Sequence, residues 1–295
     1  MLALAETRFS FVSDEYIYAE IAREMSVNTA FKALAVTREL HARCIPGVID
    51  ICPANASYLI RYNPDVLSPY DLMDYLKEID ISKSRPEALT LSSRIVEIPT
   101  WYNDPITREY TRRFRERNDN PYRSDFELAM RTCGFADESA FIHAHTHRPY
   151  LLTMVGFILG TAWEFPLGRH TDELADVPKY KSPRTGTPRQ AVSMGGPFTV
   201  VYPVRSPGSY QLIGMTPVPV YQPEQKLAEF KESMFLARPG DIWVHRSIKE
   251  TEYYAILSEV ENGLYCYRTK TIDFSPEQYV REHNTYIDSI MKEFY

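Results

Sequence analysis

The sequence predicts an α+β N-terminal domain followed by a mainly-β domain, on three observations. Residues 1–90 carry strand and helix patterns in the order strands, helix, two strands, helix. From Val155 to Pro217, alternating apolar positions (Thr199 and Val201, then Tyr210 and Leu212) are interrupted by Gly195-Gly196-Pro197, Pro203, Pro207-Gly208 and Gly214. That mixture suits short strands joined by tight turns, since glycine reaches positive φ freely and proline fixes φ near −65°. Twenty-one tyrosines and 21 prolines also favour strands and turns over helix.

In the first domain, Phe9, Phe11, Tyr16 and Tyr18 alternate around Ser13-Asp14-Glu15 as two short strands would. From Ser26, the apolar residues Ala30, Phe31, Leu34, Ala35 and Leu40 are spaced three and four apart, a helix that stops before Ile45-Pro46-Gly47. Val48 to Cys52 and Tyr58 to Tyr62 are strands about an Ala54-Asn55-Ala56 turn. Ser68-Pro69 opens a second helix through Leu72, Met73 and Leu76. Such an order places helices on one face of a sheet. Ser82 to Pro86 is the expected linker, and Ile95 to Thr100 starts the second domain, residues 91–295.

That domain opens with a polar helical region. Ile106 to Arg117 is too poor in apolar residues for a core helix, and its basic run TRRFRER reads as a solvated face or a docking surface for an acidic partner. Asp125 to Cys133 and Ser139 to His147 are further helix candidates. Asp172 to Pro188 reads as a loop, and Pro239-Gly240-Asp241 as a turn before a strand. Tyr253 to Leu257 and Leu264 to Arg268 read as a hairpin about Glu261-Asn262-Gly263, and one helix from Ser275-Pro276 closes the chain.

Composition narrows the function. The 295 residues carry 33 basic and 39 acidic side chains, a net charge of −6, which argues against nucleic acid as the main partner. No apolar run reaches 18 residues and the N-terminus lacks a signal-peptide pattern, so a soluble cytoplasmic protein without a membrane partner is expected. The cysteines, Cys44, Cys52, Cys133 and Cys266, fall at no metal-ligand spacing. His143, His145 and His147 would share one face of a strand but splay on a helix, and the helical reading of this segment leaves no expected metal site. No GxSxG elbow, Walker sequence or GxGxxG is present, so any ATP is bound by another subunit. What remains is a set of glycine-rich turns with arginines beside them: Pro183-Arg184, Pro188-Arg189, Gly195-Gly196, Arg205-Ser206-Pro207-Gly208. Turn amides with an Arg fork hold carboxylates or small anions, or such glycines only shape a barrel.

The stretch from Tyr202 to Pro223 with Arg238 to Val244 resembles the family of allophanate hydrolase subunit 1 and the B subunit of 5-oxoprolinase, also found within the carboxyltransferase domain of urea carboxylase. Ile98 to Asn103, His145, Tyr150, Gly156-Phe157 and the paired Pro183-Arg184 and Pro188-Arg189 fall where that family's motifs do, and the similarity covers most of residues 7–250. The resemblance implies a cyclophilin-like β-barrel after the N-terminal domain, and a carboxyltransferase subunit whose site is shared with a homologous second carboxyltransferase subunit. A carboxyl group would pass from biotin, borne on a separate carrier protein and charged by a biotin carboxylase subunit, to a small-molecule acceptor. It suggests Arg184, Arg189 and His145 as catalytic groups. Tyr150, Thr199, Tyr202, Ser206, Gly208 and Thr216 would bind substrate. Two alternatives stand beside it: a subunit of an ATP-dependent lactam (5-oxoproline-type) hydrolase, and a non-catalytic partner-binding barrel. Departures from the family pattern at Ile158 to Thr161, Phe198 and Met215 imply a divergent branch with a different acceptor, less polar than urea.

Overall fold

The computed structural model describes residues 6–83, 90–168 and 175–295. By internal packing the chain forms two units, residues 1–93 with 272–289, and residues 94–271 with 290–295. A division at residue 90 thus leaves out Ile272–Ser289, a late segment that returns to the first unit.

In the first unit, β1 (Arg8–Val12), β2 (Tyr16–Glu20), β3 (Val48–Pro53) and β4 (Ser57–Tyr62) form an antiparallel sheet in the order β1-β2-β4-β3. Two helices supply its core, α1 (Val27–Arg43) and α2 (Pro69–Ser82). The helices start at Ser26 and Ser68-Pro69 as the sequence implied, and the structure shows why: Ser26 caps α1 reciprocally with Thr29, and Ser68 caps α2 ahead of Pro69. Ile17, Ala19, Val36, Leu40, Ile60, Leu72 and Leu76 are buried together between sheet and helices. Each fully buried Val, Leu or Ile contributes about 1.5 to 3 kcal/mol of transfer free energy. The expected linker residues 84–86 lie outside the described residues.

The second unit is built on a closed ring of strands. β5 (Leu91–Tyr102) is followed by α3 (Pro105–Phe114), α4 (Asp125–Thr132) and α5 (Glu138–Thr146). Then come β6 (Pro149–Val155), β7 (Ala162–Pro166), β8 (Arg184–Thr187), β9 (Ala191–Gly195), β10 (Phe198–Val201), β11 (Ser206–Gly208), β12 (Gln211–Met215) and β13 (Ile242–Ser247). The order β12-β9-β10-β7-β6-β13-β5 returns to β12, so seven strands close a barrel; β13 runs parallel to β5. Closure pairs Gly214 with Tyr102 and Met215 with Trp101. A Cβ on Gly214 would sit 2.6 Å from the Trp101 carbonyl oxygen, so only glycine lets the two backbones approach. β8 and β11 form a separate two-stranded sheet, which replaces part of the loop expected over 172–188; residues 172–174 lie outside the described residues.

Two expectations are corrected. The segment read as a hairpin is a helix, α6 (Glu250–Glu261), that buries Tyr253 and Ile256. The Asn262-Gly263 pair is its C-terminal cap. Gly263 (φ +71°) donates its N–H to Val260 O and Leu264 to Glu259 O, the paired bonds of a Schellman motif. Asn-Gly serves a hairpin and a helix stop equally well, because both need positive φ. After β14 (Thr269–Phe274), which adds to β5 outside the ring, the closing helix is broken into α7 (Pro276–Glu282) and α8 (Asn284–Phe294) by His283 at φ +42°. No helix among the described residues is long and apolar enough to cross a membrane.

Candidate functional site

Adjacent residues of a strand point to opposite faces, so β7 and β10 present two different chemistries. Glu164 and Thr199, register partners, face the barrel interior, while Trp163, Phe198 and Val200 face outward.

The interior holds a hydrogen-bonded network. His145, carried by α5, meets the Tyr102 hydroxyl at 2.7 Å through Nδ1 and the Thr199 hydroxyl at 3.1 Å through Nε2. A neutral imidazole accepts at one nitrogen and donates at the other, and both hydroxyls can take the matching role. Tyr150 donates to the His145 carbonyl at 3.2 Å. Beside this ring, 4.8 Å away, His245 bridges Thr100 (2.9 Å) and Glu164 (2.8 Å). All of these side chains are buried. Burial, with the neighbouring His245 and Arg148, holds the His145 imidazole well below its ordinary value near 6.5, and burial pushes the Tyr102 and Tyr150 phenols up. This polar network is partnered throughout except at Glu164 Oε1, which has no partner among the described residues.

The outward face carries a cavity of about 120 Å³. Trp163 and Tyr210 wall it, their rings 6.0 Å apart and near-perpendicular. Tyr202 and Val200 form its floor, and Lys179, with its Nζ 5.4 Å from the centre of the Tyr210 ring, supplies a cation. Thr161 also lines it. That residue is 1% exposed and its hydroxyl has no partner among the described residues, a deficit that costs about 1 to 3 kcal/mol. At the rim stands Phe157, 67% exposed and held at φ +78°, a conformation L side chains avoid; Leu159 beside it is also exposed.

A buried ion pair backs this wall. Arg184 Nη1 lies 3.3 Å from Asp125 Oδ2, both side chains fully enclosed, and Arg184 Nη2 donates to the Tyr210 carbonyl at 2.7 Å. Asp125 further accepts from the Tyr180 hydroxyl at 2.5 Å and the Leu212 N–H at 2.9 Å. Burial raises the Asp125 carboxyl above its ordinary value, opposed by Arg184.

A profile of the carboxyltransferase domain, subdomain C and D, matches residues 7–230. The chain belongs to that family. Urea amidolyase of Saccharomyces cerevisiae is 24% identical over 281 residues, which is 94% of this chain and 15% of that protein. The B subunit of 5-oxoprolinase from Bacillus subtilis is 29% identical over 229 residues, 72% of this chain and 81% of the relative. The crystal structure of Kluyveromyces lactis urea carboxylase shares the fold with a TM-score of 0.81 at 20% identity, over 97% of this chain and 26% of that one. This carboxyltransferase-family chain therefore spans a small fraction of the amidolyase and most of the oxoprolinase subunit. The ring is completed by β13, which lies beyond the matched residues.

The structure separates the residues singled out from the sequence into three places. His145, Tyr150 and Thr199 meet in the interior. Arg184, Ser206, Gly208 and Tyr202 gather around the β8–β11 sheet, where a Cβ on Gly208 would strike the Tyr202 hydroxyl; Ser206 is buried with its hydroxyl unpartnered among the described residues. Arg189 is exposed, donating to the Tyr221 carbonyl at 3.2 Å, and Thr216 is buried, bonded through its backbone to Gln190. Tyr202 alone of the nine lines the cavity. On α5 the three histidines splay: His145 points inward while His143 and His147 stack outside with ring centres 3.6 Å apart.

Trp163, Lys179, Tyr210, His245, Glu164 and Asp125 were not singled out from the sequence. Glu164 had a readable signal, a lone carboxylate in the apolar run AWEFP, which a buried strand tolerates only with a partner. Lys179 and Tyr210 had none, being polar and aromatic residues in turns.

Proposed function

We propose that this chain is a carboxyltransferase subunit of a biotin-dependent carboxylase, and that the cavity on the outer face of β7 and β10 is its half of a shared site. The observation that carries the reading is the coincidence, in a member of this family, of an aromatic cavity, a cation and an unpaired buried hydroxyl beside an exposed, strained aromatic rim. Strain of that kind persists where surrounding structure enforces it, and it concentrates at functional sites. The alignment with urea amidolyase reaches 94% of the chain against 72% for the oxoprolinase subunit, which favours the carboxylase over the lactam hydrolase.

In this reading biotin arrives on a separate carrier and supplies the activated carboxyl group; ATP is used by another subunit. The exposed side chains of Phe157 and Leu159 suit the apolar arm of such a group. The chain's own residues do the positioning. Arg184 fixes Tyr210 through its carbonyl, and Tyr202, seated against Gly208, forms the floor. His145, Tyr150 and Thr199 hold α5 and β10 behind that floor. Arg189, exposed and charged, meets the acceptor or the developing oxyanion from the partner side. Ser206 and Thr216 complete the turns around it.

Copurification from the native source, with mass spectrometry of the partners and a streptavidin blot, tests the proposal. A homologous second carboxyltransferase subunit with a biotin-bearing protein is expected. A lactam hydrolase partner without biotin would contradict it.

A further inference from the structure

We propose that the outer-face cavity takes a small, flat carboxylic acid, its carboxylate on Lys179, its ring or planar body against the edge-to-face pair Trp163 and Tyr210, and one hydrogen bond to Thr161. The inference rests on reading this cavity as the acceptor side of the proposed subunit. Four observations lead to it. The volume, about 120 Å³, lies well below the roughly 300 to 1,000 Å³ of pockets for drug-sized ligands and cofactors, so the occupant is a fragment-sized molecule. The walls are aromatic faces and edges, which select a planar body. Lys179 is the single charged residue lining the space among the described residues, with no carboxylate to neutralise it there, so the preferred charge is negative. The Thr161 hydroxyl, enclosed and without a partner among the described residues, belongs to a residue that lines the space.

The same features exclude other occupants. An organic cation would face Lys179 uncompensated, and a nucleotide exceeds the space. A urea-sized molecule would leave the aromatic walls without contact. The divergence of this loop from the family pattern therefore has a chemical direction, toward an acceptor with a flat apolar body and an acid group.

The test uses the whole folded chain in ligand-observed NMR titrations with benzoate and its neutral isostere benzamide. Benzoate is expected to saturate below about 10 mM and to bind about tenfold more tightly than benzamide. Lys179→Met, a change at an exposed side chain that leaves the melting temperature in place, should remove that difference. Thr161→Val should weaken both ligands about threefold or more. Equal binding of the two ligands, benzoate binding unchanged in Lys179→Met, or no saturation would each overturn the inference. Benzoate binding needs no carboxyl transfer, so the two readings fail separately. A chain that binds benzoate but copurifies without biotin keeps this site and loses the carboxylase; the converse result loses only the acid specificity.

Discussion

Glu164 and Trp163 are neighbours in one strand, yet they belong to regions that differ in how far their polar groups are partnered. On the inner side, Glu164, His245, Thr100, His145, Tyr102 and Thr199 use one another's hydrogen bonds, and only Glu164 Oε1 is left over among the described residues. On the outer side, among the described residues, Thr161 Oγ1 lacks a partner and no carboxylate lines the cavity beside Lys179, while Phe157 is strained. A mostly partnered network stabilises a fold, whereas strain is retained where surrounding structure enforces it, often at functional sites. The contrast supports the proposal that the interior is scaffold and the outer face recognition.

The largest effect should come from the scaffold's charge pair. Asp125→Ala leaves the Arg184 guanidinium enclosed and unpaired, and urea denaturation should show a loss of about 3 to 5 kcal/mol. A loss below about 1 kcal/mol would mean that the pair does not anchor the Tyr210 wall.

Next comes the pH dependence of the interior. His145 is neutral in the fold because its imidazole is held well below 6.5, while the unfolded chain takes up a proton near 6.5. The stabilisation is therefore complete above that pH and is lost as pH falls below it, at up to about 1.4 kcal/mol per pH unit. Denaturant midpoints measured from pH 7 to pH 5 should fall more steeply for the natural chain than for His145→Gln. Parallel curves would place the histidine in a wetter setting than the network described.

A smaller change sharpens the comparison from the other side. Phe157→Gly relieves a left-handed backbone worth about 1 to 2 kcal/mol and gives back part of that gain through the unfolded chain's freedom. Thermal melts should show a gain of up to about 1 kcal/mol, accompanied by weaker partner binding. Destabilisation would identify Phe157 as a packing residue.

Much of this architecture was legible from the sequence, and the failures are informative. The capped helices at Ser26 and Ser68 follow from local hydrogen-bond chemistry, which a single chain displays. The closure of β12 onto β5 joins residues more than a hundred positions apart, and nothing local in Gly214 or Tyr102 names the other. The two Pro-Arg motifs look alike in sequence, yet Arg184 is enclosed by Asp125 and Arg189 is open to solvent. Asp125, with the Tyr210 carbonyl and the Tyr180 ring, makes that difference, and it reads only as an acidic residue at a helix start. The cavity was hidden for the same reason, since Thr161, Lys179 and Tyr210 come from three separate turns.

The division between scaffold and recognition is tested most directly by turnover of the reconstituted complex carrying Arg189→Ala or Lys179→Met. Both side chains are exposed, so melting temperatures should stay within the equivalent of about 0.5 kcal/mol. At that unchanged stability, kcat/KM for the acceptor should fall by about tenfold or more. Full turnover in both variants would contradict the account.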